Sequence, residues 1–114
     1  MAVEIRQKGK VSIVDVSGKL TVGEAHVQLR DRVKELIESG RRLFILNLAD
    51  VPFMDSSGLG ETAACKMRVS RHDGVIKLVL RDRSKVREVF KITGLDQAFE
   101  IFEDEGEALA SFIS

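Results

Sequence analysis

Tryptophan and tyrosine are absent from this 114-residue chain, cysteine and proline occur once each, and histidine twice. Each scarcity excludes something. One cysteine, Cys65, cannot form an intrachain disulfide, which points to a reducing compartment. Lying among Ala63, Ala64 and Met67, it reads as a small core residue rather than a reactive thiol. Without Trp or Tyr, the platforms on which nucleobases stack are poorly supplied. Lys plus Arg equals Asp plus Glu at 18 each, so the basic surface of a nucleic-acid binder is missing too. The run Arg81, Arg83, Lys85, Arg87 is interrupted by Asp82 and Glu88 and reads as a solvated helix face. No apolar run approaches the ~20 residues of a membrane span. Residues 1–7 carry Glu4 and lack the apolar core of a signal segment. A soluble, cytoplasmic protein without direct nucleic-acid or membrane contact is expected.

What is present is a foldable core. Hydrophobic residues make up 44% of the chain, and its length suits one domain over residues 1–114. Val3-Glu4-Ile5-Arg6 alternates, Lys8-Gly9-Lys10 turns, and Val11 to Val16 alternates again in part, which predicts an N-terminal hairpin. Thr21 and Glu24 form a capping box. Ala25, Leu29, Val33, Leu36 and Ile37 then recur at helical spacing up to Gly40. Residues 43–48 are nearly continuous in apolar side chains, as in a strand covered on both faces. A helix over residues 57–72 presents Leu59, Ala63 and Met67 and stops at Gly74, and residues 75–80 form another buried strand. Ser84 caps a short helix carrying Val86, Val89 and Phe90, closed by Gly94-Leu95. Residues 98–102 read as a last strand. Asp104 and Glu107 cap a final helix that docks through Leu109, Phe112 and Ile113. The order β-β-α-β-α-β-α-β-α implies an α/β fold with a mixed, mostly parallel sheet of four to five strands and about four helices.

Chemistry concentrates at Asp55-Ser56-Ser57-Gly58-Leu59-Gly60, between the strand of residues 43–48 and the following helix. Ser56 at that junction is expected to act as the N-cap, with its Oγ near the positive helix end. Such a place suits an added phosphate. The two glycines behind it would let another molecule's backbone come close. The same string is also ordinary turn-and-cap vocabulary. A hydrolytic serine needs a histidine base, and both His26 and His72 fall on predicted helices, His26 as an exposed residue. The Gly-x-Ser-x-Gly elbow is missing. No Gly-Lys-Ser or Gly-Lys-Thr follows Gly58-Leu59-Gly60, so a phosphate-cradling loop is not expected. One cysteine and two separated histidines do not make a zinc site. No catalytic residue, cofactor or metal is expected; chemistry is done to this protein rather than by it.

Asn47-Leu48 and Phe53-Met54-Asp55-Ser56-Ser57-Gly58-Leu59-Gly60 resemble the signature of STAS domains, and of bacterial anti-sigma factor antagonists in particular. Gly18-Lys19-Leu20, Gly74 with the strand behind it, and Phe90-Lys91-Ile92-Thr93-Gly94-Leu95 carry the resemblance along nearly the whole chain. It implies partner switching. The unphosphorylated antagonist binds an anti-sigma factor and frees a sigma factor. That anti-sigma factor is also an ATP-using serine kinase of the GHKL type, which phosphorylates Ser56, and a metal-dependent phosphatase reverses the step. The resemblance places Asp55, Ser57, Gly58, Leu59, Gly60, Thr21 and Gly23 in the partner contact. Asp55 would position the loop, Ser57 would support the helix start, and the glycines would keep the surface flat. Family antagonists often carry Asp where Thr21 stands, which keeps the cap and removes a charge. The alternative is a STAS scaffold subunit, never phosphorylated, in a stress-signalling or lipid-transport complex.

Overall fold

A computed structural model describes residues 2–19 and 24–113. Two strands open it: β1 (Ala2–Lys8) and β2 (Val11–Ser17) form the expected antiparallel hairpin, with Lys8 opposite Val11. Gly9 sits at φ +60, and a left-handed glycine at the first of two central positions matches a type II′ turn. Then follow α1 (Glu24–Glu38), β3 (Leu43–Asp50), α2 (Ser56–Arg71), β4 (Val75–Val79), α3 (Lys85–Thr93), β5 (Ile101–Phe102) and α4 (Glu105–Ser111). The sheet runs β1-β2-β3-β4-β5, antiparallel between β1 and β2 and parallel elsewhere. Fold class and element order are as the sequence predicts. Leu20, Thr21 and Gly23 lie outside the described residues, as do the side chains of Glu24 and Ala25.

Two cores cover the two faces of the sheet. On the front, Val14, Val16, Phe44, Leu46, Leu48, Ile76 and Leu78 meet Leu29, Val33 and Ile37 of α1, Leu59, Cys65 and Val69 of α2, and Val86 and Phe90 of α3. On the back, Val11, Ile13, Ile45 and Val79 are covered by Ala108, Leu109 and Phe112. Lys77 is buried on that face, its Nζ 2.8 Å from Ser111 Oγ and 4.3 Å from the Phe112 ring centroid. A buried ammonium needs such acceptor and π partners to offset desolvation. Asp104 and Ser84 cap α4 and α3 as expected, accepting from the Glu107 and Arg87 N–H groups.

Three details differ from the sequence reading. The last strand shrinks to Ile101–Phe102 because the chain takes a 3-10 turn over Leu95–Gln97 and Phe99 turns inward, edge-on to Phe90 at 6.2 Å. Ile113 is 87% exposed and does not dock α4. Met67 is 55% exposed, because the buried stripe of α2 runs through Gly58, Leu59, Thr62, Cys65 and Val69. Gly74 also serves differently. The left-handed residue after α2 is Asp73, at φ +59. A Cβ on Gly74 would lie 2.5 Å from the Arg42 carbonyl oxygen and 2.8 Å from Val69 Cγ1, so the position is glycine for close approach.

Candidate functional site

The segment leading out of β3 is pinned from inside. Val51 donates its N–H to the Leu48 carbonyl at 3.0 Å, and Val51 and Met54 are 3% exposed. Between them Pro52 and Phe53 face outward, Phe53 at 46% exposure. The chain then enters α2 through Asp55, in extended geometry (φ −94, ψ −174), whose Oδ1 accepts from the Gly58 N–H at 3.0 Å. Asp55 is therefore the cap, and Ser56 is the first helical residue; the helix starts one residue earlier than expected. The carboxylate is the better competitor for orphan amides here, being anionic at the positive end of a helix that has no other acidic residue in its first turn.

This shift leaves Ser56 unburdened. It is exposed, and among the described residues its hydroxyl has no hydrogen-bond partner. Ser57 is half-buried. Gly58 and Leu59 are buried, Leu59 as the anchor of the first turn in the front core. Gly60 faces outward, and a Cβ there would meet nothing among the described residues within 4 Å. Of the residues expected at the site, the structure brings Ser56, Ser57 and Gly60 to the outer side of the first turn of α2, turns Gly58 and Leu59 inward, and uses Asp55 as the cap. Asp55→Ala should remove one capping bond and cost ~1 kcal/mol. Ser56→Ala should change stability by less than ~0.5 kcal/mol, since it breaks no contact among the described residues. Paired urea melts of the two variants check this, and an equal loss in both would place the cap at Ser56 after all.

One turn further along, sequence reasoning missed a buried carboxylate. Glu61 is 4% exposed; its Oε1 lies 3.1 Å from His26 Nδ1 on α1, and its Oε2 2.7 Å from Arg68 Nη1. His26 is accordingly half-buried and paired, not free on an exposed face. The signal was available: Glu61 is four residues before Cys65 and so shares its side of the helix. Burial first, then Glu61, pushes the Cys65 thiol up to about 12, so the sulfur stays protonated and inert, in keeping with a core role. The cluster ties the start of α1 to the first turns of α2. His72 lies at the other end of α2, its Nδ1 2.9 Å from the Arg68 carbonyl, about 24 Å of helix from Ser56 by the rise per residue. Among the described residues, no group of three or more His, Cys, Asp or Glu could hold a metal, and no helix is long and apolar enough to cross a membrane.

Comparison with known proteins agrees with this architecture. The family model for the STAS domain matches residues 2–108. The chain is 34% identical over 99 residues to the anti-sigma-B factor antagonist of Bacillus subtilis, covering 87% of this chain and 88% of that protein. Among solved structures it resembles an anti-sigma factor antagonist from Mycobacterium paratuberculosis, with a TM-score of 0.83 at 23% identity over 99% of this chain and 94% of that one. It also resembles the phosphorylated form of the Bacillus cell fate determinant SpoIIAA, with a TM-score of 0.71 at 24% identity over 97% and 99% of the two chains.

Proposed function

The chain belongs to the STAS domain family, and from that premise we propose that it is an anti-sigma factor antagonist switched by phosphorylation of Ser56. Unphosphorylated, it binds an anti-sigma factor that is itself a GHKL-type serine kinase, and so releases a sigma factor. Phosphate on Ser56 ends that contact, and a phosphoprotein phosphatase restores it. The role of this protein in the cycle is regulatory and not catalytic.

The observation that carries the proposal is the state of Ser56. Its hydroxyl is exposed at the first helical position of α2, with no bond to give up among the described residues and with the cap supplied by its neighbour. A kinase can reach such an oxygen without unfolding anything. Phe53, three residues earlier in the chain, supplies an exposed aromatic, the kind of side chain that anchors protein contacts. Incubation with the cognate kinase and ATP should add one phosphate to the wild type and none to Ser56→Ala, read by intact mass. Uptake by Ser56→Ala, or none by wild type, would overturn the assignment and favour the unphosphorylated scaffold.

Gly60 gives an independent measurement. A glycine inside a helix costs roughly 0.5–1 kcal/mol relative to alanine, and the described residues leave open space where the methyl would go. The fold alone would prefer alanine. Gly60→Ala should therefore raise stability by about 0.5–1 kcal/mol and weaken the anti-sigma factor contact. A stabilised variant with unchanged affinity would remove Gly60 from the interface.

A further inference from the structure

We infer that this protein forms a two-fold dimer through the outer edge of β1, joining two sheets into one continuous antiparallel sheet across Ile5. The two edges of the sheet are unlike. On one side β5 is two residues long, too short to template a neighbour. On the other, β1 runs seven residues, pairs with β2 alone and contains no proline. A long edge strand offers unpaired N–H and C=O groups to another strand unless charge, proline or a bulge prevents it.

The charges on β1 favour one register over its neighbours. Glu4, Arg6 and Lys8 share the back face, and Val3 and Ile5 share the front, where they pack on the core. A two-fold axis normal to the sheet sets each residue i opposite a residue j with i and j equidistant from the axis. Centring on Glu4 opposes Glu4 to itself, and centring on Arg6 opposes Arg6 to itself; both place like charges in contact. Centring on Ile5 opposes Glu4 to the second copy's Arg6 twice over, Val3 to Gln7, and Ile5 to Ile5. The back face gains two opposite-charge pairs, and on the front face Ile5 meets Ile5 at the axis.

Within one copy, Glu4 is badly served. It lies directly across the hairpin from Asp15, a like-charge juxtaposition. Arg6 gives its guanidinium to Asp15 and Glu105, and Lys8 goes to Glu105. Glu4 forms no ion pair among the described residues. The cation it lacks is the one that Ile5-centred pairing brings. Ser56 follows β3, two strands in from this edge, so the dimer contact is separate from the Ser56 surface and does not rest on the antagonist role.

Sedimentation equilibrium of the full chain from about 1 µM to 1 mM, the range of a weak contact of this size, should show a monomer–dimer equilibrium. Glu4→Arg breaks no ion pair among the described residues and opposes Arg to Arg at both positions; it should weaken association ~10- to 30-fold without lowering the melting temperature. Arg6→Glu should weaken it likewise, by opposing Glu to Glu. Mixed in equal amounts, the two variants restore opposite charge at both positions, and the heterodimer should exceed either homodimer by at least ~10-fold. Should Arg6→Glu fail to fold, having lost Asp15 and Glu105, the comparison of Glu4→Arg with wild type decides alone. A wild type monomeric at 1 mM, or a Glu4→Arg variant that associates as tightly as wild type, overturns the proposal.

Discussion

Phosphorylated at Ser56, the protein should melt within about 5 °C of the unmodified form and bind its anti-sigma factor at least ~100-fold more weakly. Phosphoserine carries about −1.5 to −2 charges at neutral pH. At the first position of α2 it meets the positive helix end, typically worth ~0.3–1 kcal/mol in favour of the fold. Asp55 already occupies that end as the cap and repels the newcomer, so the two effects nearly cancel, and a shift of a kcal/mol moves the melt by only a few degrees in a chain this size. The partner meets a different surface. Where Ser56 offered a small hydroxyl on the same helix face as Gly60, it now offers a dianion. Desolvating that charge without a cation costs several kcal/mol, and ~2.7 kcal/mol is already 100-fold in affinity. Calorimetric titration of the phosphorylated and unmodified proteins against the anti-sigma factor, beside thermal melts, reads both quantities. A large loss of melting temperature, or an unchanged affinity, would show that the switch is not local exclusion at Ser56.

Gly74→Ala should cost ~2–3 kcal/mol and lower the melting temperature by ~8–15 °C, although it adds a single methyl group far from Ser56. That methyl would enter 2.5 Å from the Arg42 carbonyl oxygen. The same oxygen accepts the Val75 N–H at 2.9 Å, the bond that opens the pairing of β4 with β3. Nothing flexible stands in the way to yield, so backbone must move and the start of β4 moves with it. The contrast with Gly60→Ala is informative, since the same substitution at a helix position with open space should stabilise. Thermal denaturation of the two alanine variants settles both signs. Equal shifts in the two would mean that space around the glycines does not govern their cost.

The elements were legible because each is written in local chemistry. Apolar continuity over residues 43–48, turn residues at Gly9 and Gly94, and capping serines and aspartates need no knowledge of the rest of the chain. The cap of α2 was misplaced by one residue because Asp and Ser are equal candidates by type. What separates them is which side chain reaches the Gly58 amide, a matter of backbone geometry. Glu61 and His26 were misread for another reason. The spacing to Cys65 puts Glu61 on the buried side of α2, but the pairing with His26 depends on α1 lying against α2, and nothing within either helix reports that. Met67 and Ile113 failed in the opposite sense, as apolar residues whose neighbours in space never arrive. The dimer edge is similar: alternation in β1 predicts a strand, but only the sheet order shows that one side of it is open.

The order of the strands in space equals their order in the chain. β3 pairs with β2 and β4 with β3 across one helix each time, and β5 adds to β4 last. With right-handed crossovers all stepping the same way, α1, α2 and α3 fall on one face. No strand has to wait for a later one to be inserted between it and its neighbour. A polypeptide leaving the ribosome can therefore lay down the hairpin, then one strand and one helix at a time, each new pair closing onto an edge that already exists. Between neighbouring strands the separation in sequence stays near one crossover, which favours rapid folding over trapping; the long-range contacts are those of α4, such as Glu105 with Arg6. The residues around Ser56 are completed once β4 has been made, before the last fifth of the chain is synthesised, and the back face closes only when α4 arrives.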